Sequence, residues 1–247
     1  MRGVWKLTLV EIKLFLREPM AAFFTLVFPL MMLFLFGSIY GNKPVAFFGG
    51  IGYVDTAVPA FTAMIIATSG LLSLTIQVAT YREKRILRRL RATPLRPQAI
   101  LSAQVMTIFL MTVLGMILLL VAGKWIYGVR FSGNAVSVFI AFTLCSLSFF
   151  VLGFVLAGLL PTARTAQVAA MVIFYPMLFL SGAAIPLEVL PETLRNYTQF
   201  LPLTHVVTLL RGLWIGDGWG DHLTEVIFLT AMLIVGLVVS AKTFRWE

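Results

Sequence analysis

Cysteine occurs once in this chain, at Cys145, inside a hydrophobic run. One thiol forms no intrachain disulfide, and no ligand-type partner lies near it in sequence, so it reads as a small apolar packing residue. Charge is scarce too: 12% of the 247 residues are Asp, Glu, Lys or Arg, against about 25% in a soluble domain. Hydrophobic residues make up 60% and the mean hydropathy is +0.98. Together these figures exclude an ordinary soluble domain and point to a polytopic membrane protein. The G-x-x-x-x-G-K-[ST] phosphate loop is missing, and no soluble stretch is present to hold one, so nucleotide hydrolysis is expected only on another polypeptide. No cleavable signal peptide is expected, because Arg2, Lys6, Glu11, Lys13, Arg17 and Glu18 interrupt residues 1–19. No internal repeat or low-complexity tract stands out.

What is present is a series of long charge-free runs. Windows of about 20 such residues mark membrane helices, and six are predicted: 20–40, 59–80, 99–123, 135–160, 165–181 and 223–241, the last with Glu225 at its outer end. A weaker apolar stretch, 197–210, is broken by Pro202 and His205 and is too short to cross; it reads as re-entrant or interfacial. The fold class is therefore an all-α, six-span membrane protein in one domain. The longest non-spanning outer segment is 182–222.

The net charge of +9 is concentrated at span ends and in one loop, which favours a membrane surface over nucleic acid as its partner. Residues 81–97, YREKRILRRLRATPLRP, carry seven Lys and Arg side chains and one acid. With both termini cytoplasmic, fourteen of the nineteen Lys and Arg fall on the inner side, as the positive-inside rule requires. The expected location is a cell membrane of the bacterial inner-membrane type, with 81–98 a cytoplasmic loop.

Two inner segments are amphipathic. In 2–17, Arg2, Lys6, Lys13 and Arg17 share a narrow stripe at helical spacing, beside an apolar arc of Val4, Trp5, Leu9, Ile12, Phe15 and Leu16. That suits a helix lying among anionic lipid head groups, and Pro19 turns the chain into span one. In the basic loop, Ile86, Leu87 and Leu90 share one side, and Lys84, Arg85, Arg88, Arg89 and Arg91 cover the rest. Glu83 projects among the apolar residues and needs a partner; the expected one is Lys13 or Arg17. Enforcing topology would take fewer arginines than these, so a docking role for the loop is expected as well.

Within the spans the signals are weaker. Thr68, Ser69 and Ser73 of span two can line a cavity or bond across helices and to their own backbone. Phe174, Tyr175 and Met177 of span five, beside Pro176, suit either amphiphilic cargo or packing. Predicted spans one to five contain no Asp or Glu, and Glu225 is near a boundary of span six, which argues against an ion-coupled secondary transporter. The only histidines, His205 and His222, share the outer segment with Glu188, Glu192, Asp217 and Asp221. A membrane-embedded enzyme would need such groups clustered; they are expected instead to solvate the outer surface, with no metal bound.

The run EKRILRRLRATPL, 83–95, resembles the cytoplasmic-loop signature of type-2 ATP-binding-cassette (ABC) exporter permeases of the daunorubicin-exporter kind. The stretches LSGAAIPLEVLP, 180–191, and LPLTHVVTLLRG, 201–212, resemble the same family's outer segment. The likeness covers the whole chain, with one departure: Arg85 stands where many relatives carry glycine. The resemblance implies that the loop, through Glu83, Lys84, Arg85, Arg88, Arg89 and Arg91, and the N-terminal helix, through Lys6, Lys13 and Arg17, contact a separate cytoplasmic ATPase. It implies an outer closure shaped by Ser181, Gly182, Pro186, Pro191 and Pro202, and a route lined by spans two and five, with Thr68, Ser69, Ser73, Phe174, Tyr175 and Met177 as candidate contacts. The implied partners are two ATPase subunits, which use ATP and magnesium, and a second permease copy; the chain itself holds no cofactor. The implied cargo is a hydrophobic drug or antibiotic, a lipid or a glycan carrier.

Overall fold

A computed structural model of the chain describes residues 2–45, 50–84 and 97–243. Six helices among the described residues are long and apolar enough to cross a membrane: Phe23–Tyr40, Tyr53–Glu83, Ile100–Tyr127, Ala135–Leu159, Ala163–Leu180 and Trp219–Lys242. These are spans one to six. A further helix, α1 (Arg2–Arg17), precedes them. Two shorter helices, α2 (Glu192–Thr198) and α3 (Pro202–Ile215), lie between spans five and six. A two-residue antiparallel pairing of Pro44–Val45 with Ile51–Gly52 closes the turn from span one to span two.

Span two is the axis of the molecule. Of its most apolar stretch 94% is buried inside the protein, against 6% for span six. It packs against spans one, three, four and five and against α3. Lipid offers helices no hydrophobic drive to associate, so close packing has to come from small side chains. Span two supplies them in Ala57, Ala60, Ala63, Ala67 and Gly70. At the crossing with span four, a Cβ on Gly70 would lie 2.7 Å from the Phe149 backbone, and one on Gly153 would collide with the Gly70 carbonyl. The Thr75 hydroxyl bridges this crossing, within 3.3 Å of both the Gly70 and Gly153 carbonyls. Around it, Thr68–Leu74 winds as a π-helix, a local widening often found at functional positions.

Span six is held from outside. The Ser148 hydroxyl of span four reaches the Leu229 carbonyl at 2.9 Å, and Gly236 lets span six close on Val151. Helix ends are finished locally. Asn134 caps span four by accepting from Val136 N and Ser137 N. Gly216 ends α3 in the left-handed region at φ 108°, which glycine adopts without steric cost.

Span two is longer than its charge-free core. It runs six residues further at its start and three further at its end than the predicted 59–80, and so takes in Asp55 and Glu83. Asp55 is buried with its Oδ1 engaged by two donors. It accepts from Asn42 Nδ2 at 2.9 Å and Arg130 N at 2.8 Å, while its own amide donates to Asn42 Oδ1 at 3.0 Å. The expectation that span two is free of acids is corrected on that ground: a carboxylate with such partners can end a helix inside the protein.

Replacing Gly153 by Val is predicted to destabilise the protein by about 1–3 kcal/mol, the usual cost of overpacking. Gly220→Ala, where an added Cβ meets nothing, serves as the control. Thermal unfolding in detergent should show a lowered Tm for the first and an unchanged one for the second.

Candidate functional site

Span two leaves the bundle at Lys84 and the chain re-enters at Pro97. Charged and polar groups from α1 and spans two to five gather at this loop end among the described residues. Arg85, Arg88, Arg89 and Arg91 lie outside the described residues. Lys84 is exposed at the C-cap of span two, and Lys13 and Arg17 are exposed on α1.

The face that α1 turns inward carries Thr8, Glu11 and Phe15, each almost fully buried. The Thr8 carbonyl accepts from the Thr107 hydroxyl of span three at 3.3 Å. Glu11 is the main tie to span two. Its carboxylate accepts from the Tyr81 hydroxyl at 2.9 and 3.1 Å and from Gln77 Nε2 at 3.0 Å. Gln77 and Tyr81 are four residues apart, hence on one face of their helix. Fully buried Gln104 of span three stands beside the same tyrosine.

Glu83 does not pair with Lys13 or Arg17. Its Oε2 accepts from Ala163 N at 2.7 Å, at the first turn of span five, where unbonded amides and the helix dipole attract an anion. The neighbouring Arg82 acts on the preceding helix end: Nη1 donates to the Gly158 carbonyl at 3.0 Å and Nη2 to the Leu160 carbonyl. A cation thus sits on the C-terminus of span four and an anion on the N-terminus of span five, each the favourable sign. Thr162 and Thr165 complete the turn with a reciprocal capping box. Two side chains at the start of the basic segment, Arg82 and Glu83, therefore clamp the turn between spans four and five.

At the far end of the bundle the outer segment closes on span two. Ser181 is fully buried, its Oγ accepting from Ala183 N at 3.3 Å. Gly182 (φ 88°) and Pro186 face Tyr53, Ala57 and Phe61 of span two across a gap of only about 20 Å³, space for roughly one water. Pro191 and Pro202 lie outside that gap and begin α2 and α3, proline being well suited to a helix start.

The span-two residues proposed for a route are internal. Thr68 and Ser69 are buried, and the Thr68 hydroxyl donates to the Met64 carbonyl at 2.8 Å. Ser73 is partly buried. In span five, Phe174 and Met177 are buried while Tyr175 and Phe179 are exposed. Span five therefore has an outward face and span two, in this conformation, has none. The histidines are tied separately: His205 Nε2 lies 2.9 Å from the Gln199 carbonyl and stacks on Phe228. His222 Nε2 lies 3.1 Å from Asp217 Oδ2. No cluster of three His, Cys, Asp or Glu suited to a metal occurs among the described residues.

A family model described as ABC-2 type transporter matches residues 2–214, from α1 through nearly all of α3. This chain belongs to the ABC-2 type transporter family. It is 25% identical over 167 residues to the probable multidrug ABC transporter permease YbhR of Escherichia coli (strain K12), covering 68% of this chain and 45% of that one. It is 24% identical over 184 residues to YbhS of the same organism, another probable multidrug ABC transporter permease, with 73% and 49% covered. With the putative transport permease ycf38 of Cyanophora paradoxa it shares 25% identity over 230 residues, or 90% and 78% of the two chains. The chain spans about half the length of the two Escherichia coli relatives in these matches. In this ABC-2 chain the matched region contains both halves of the loop-end clamp.

Burial raises the Glu11 carboxyl above its ordinary 4.5, and the Tyr81 hydrogen bond opposes the rise. The folded chain thus holds this proton more readily than the unfolded chain. The associated stability is full below pH 4.5 and is lost as pH rises through the raised folded value. Glu11→Gln, which cannot ionise, is predicted to flatten the dependence of Tm on pH above 4.5. Tyr81→Phe removes a hydrogen bond to a charged group and should cost about 1.5–3 kcal/mol. Unfolding scans across a pH series check both.

Proposed function

We propose that this chain is the permease subunit of an ATP-driven exporter that moves a hydrophobic or amphiphilic substrate out across the cell membrane. Two copies, or this chain with a related one, enclose the route, and two separate ATPase subunits bind ATP and magnesium. Both termini and the 81–98 loop face the cytoplasm. The observation that carries this reading is the loop-end clamp. Glu11, Gln77 and Tyr81 join α1 to span two, and Arg82 and Glu83 join span two to the turn between spans four and five. A force applied at the basic loop is thereby delivered to three spans at once rather than dissipated in a slack connection.

The residues divide the work by position. Lys84, Arg85, Arg88, Arg89 and Arg91 offer cations to acids on the ATPase, where charge-assisted hydrogen bonds give both strength and orientation. Lys6, Lys13 and Arg17 hold α1 against anionic head groups and extend the same docking face. Span five, with Tyr175 and Phe179 outward, faces the second copy. Exit requires Gly182 and Pro186 to separate from the start of span two, since the gap of about 20 Å³ between them admits no substrate. The π-helical stretch Thr68–Leu74 supplies the give in span two that this separation needs. The family membership and the resemblance to permeases named for multidrug transport support a substrate of amphiphilic type.

Co-expression with the neighbouring genes and affinity purification through this chain should recover an ATPase in stoichiometric amount. Reversing Arg88 and Arg89 to Glu is predicted to lose that subunit while leaving Tm unchanged. Replacing Arg82 by Gln and Glu83 by Gln should retain the ATPase but lower substrate-stimulated hydrolysis. Recovery of the chain with no ATPase, or transport that persists without one, contradicts the reading.

A further inference from the structure

At the far end of the bundle, remote from the clamp, an apolar cavity of about 370 Å³ opens between spans three and four, within the size range of ligand sites. We propose that it holds an acyl chain of one anionic phospholipid drawn from the surrounding bilayer, with the head group on Lys124. This inference does not depend on the transport reading.

The cavity is built rather than left over. Met116 and Leu120 of span three, Val138 and Phe139 of span four, and Phe131 and Trp214 at the rim form its apolar wall. The rim comes from the connection that follows Tyr127, and three hydrogen bonds hold that connection in place. Arg130 N donates to Asp55 at 2.8 Å, Trp214 Nε1 donates to the Arg130 carbonyl at 3.2 Å, and Gly133 N donates to the Trp214 carbonyl at 3.0 Å. Phe131 meets Trp214 edge-on with ring centres 4.7 Å apart. The indole N–H is engaged on Arg130, so the ring can offer the cavity its apolar body.

The occupant follows from what surrounds the mouth and what charge stands at it. Ile117, Val121, Val136 and Ile140 beside it are exposed, a surface that a bilayer covers with hydrocarbon. A molecule reaching the opening therefore arrives as a lipid chain. Among the described residues, Lys124 is the one charged side chain lining the cavity. It lies in the last turn of span three, next to Trp125, which is 84% exposed. A lysine and a tryptophan at a span end mark head-group depth, with the amine reaching toward phosphate. No ion pair to Lys124 occurs among the described residues, so its charge is available to an anionic head group. A zwitterionic lipid offers the same chains but no net charge to complement it.

The test uses the full chain in nanodiscs with Trp5, Trp125, Trp219 and Trp246 replaced by Phe, so that only Trp214 fluoresces. Trp214 is 5% exposed, so bulk lipid reaches it poorly while a chain inside the cavity touches it. Phosphatidylglycerol with brominated chains should quench it more strongly than brominated phosphatidylcholine at equal mole fraction. Lys124→Gln should abolish that preference, and Ala135→Phe, which fills the cavity, should abolish quenching by both lipids. Native mass spectrometry of the protein with all its tryptophans is the second readout: retained phosphatidylglycerol should be lost in Lys124→Gln. Absence of quenching by either lipid overturns the proposal. So does equal quenching by both, or a preference or retention that survives Lys124→Gln.

Discussion

The structure depends on one close approach, that of Gly70 in span two to Gly153 in span four. In a bilayer every backbone polar group has to be satisfied within the protein, and helices gain no hydrophobic energy by meeting. A central helix surrounded on all sides is stable only if its neighbours come near enough for dispersion contacts and cross-helix hydrogen bonds. The absence of Cβ atoms at the crossing allows this, and Thr75 uses the proximity to reach carbonyls of both helices. With span two so enclosed, whatever moves its ends moves the helices around it.

Both ends of span two are accordingly tied by charge. At the far end Asp55 gathers the connection before span two and the connection after span three. At the loop end Glu11 is brought in from α1, and Arg82 and Glu83 reach out to the turn between spans four and five. Each helix-terminus contact is modest, about 0.3–1 kcal/mol at an exposed position. Their value lies in geometry: they fix the end of span two against its neighbours, up to Glu83. Residues 182–186 lie against the opposite end of the same helix, so a single element connects the basic loop to that packing.

Much of the architecture was legible in the sequence, and for a physical reason. Five charge-free runs of membrane length, and a sixth with only Glu225 at its edge, leave little freedom, and the basic loop between the second and third fixes their expected orientation. The helix boundaries were less legible, because Asp55 and Glu83 look like loop residues until their partners are known. The clamp was the least legible part. Glu83 bonds a backbone amide of Ala163, and a backbone partner has no sequence signature. Glu11 stands out in the sequence only as one of the charges that interrupt residues 1–19, although its place on the Thr8–Phe15 face was available from helical spacing. The T-x-x-T capping pattern at Thr162 and Thr165 was the signal that could have located the helix end to which Glu83 binds. The central position of span two was also readable in principle, from its run of Ala, Gly, Ser and Thr.

The loop end of span two is proposed to be a cytoplasmic docking base for a separate ATPase. Cys145 is buried, so Lys84→Cys offers a single reactive thiol in an otherwise silent chain. A membrane-impermeant maleimide should label it in inverted vesicles and not in intact cells, and the bound ATPase should protect it. Labelling from the outside of intact cells, or labelling indifferent to the ATPase, would contradict the account.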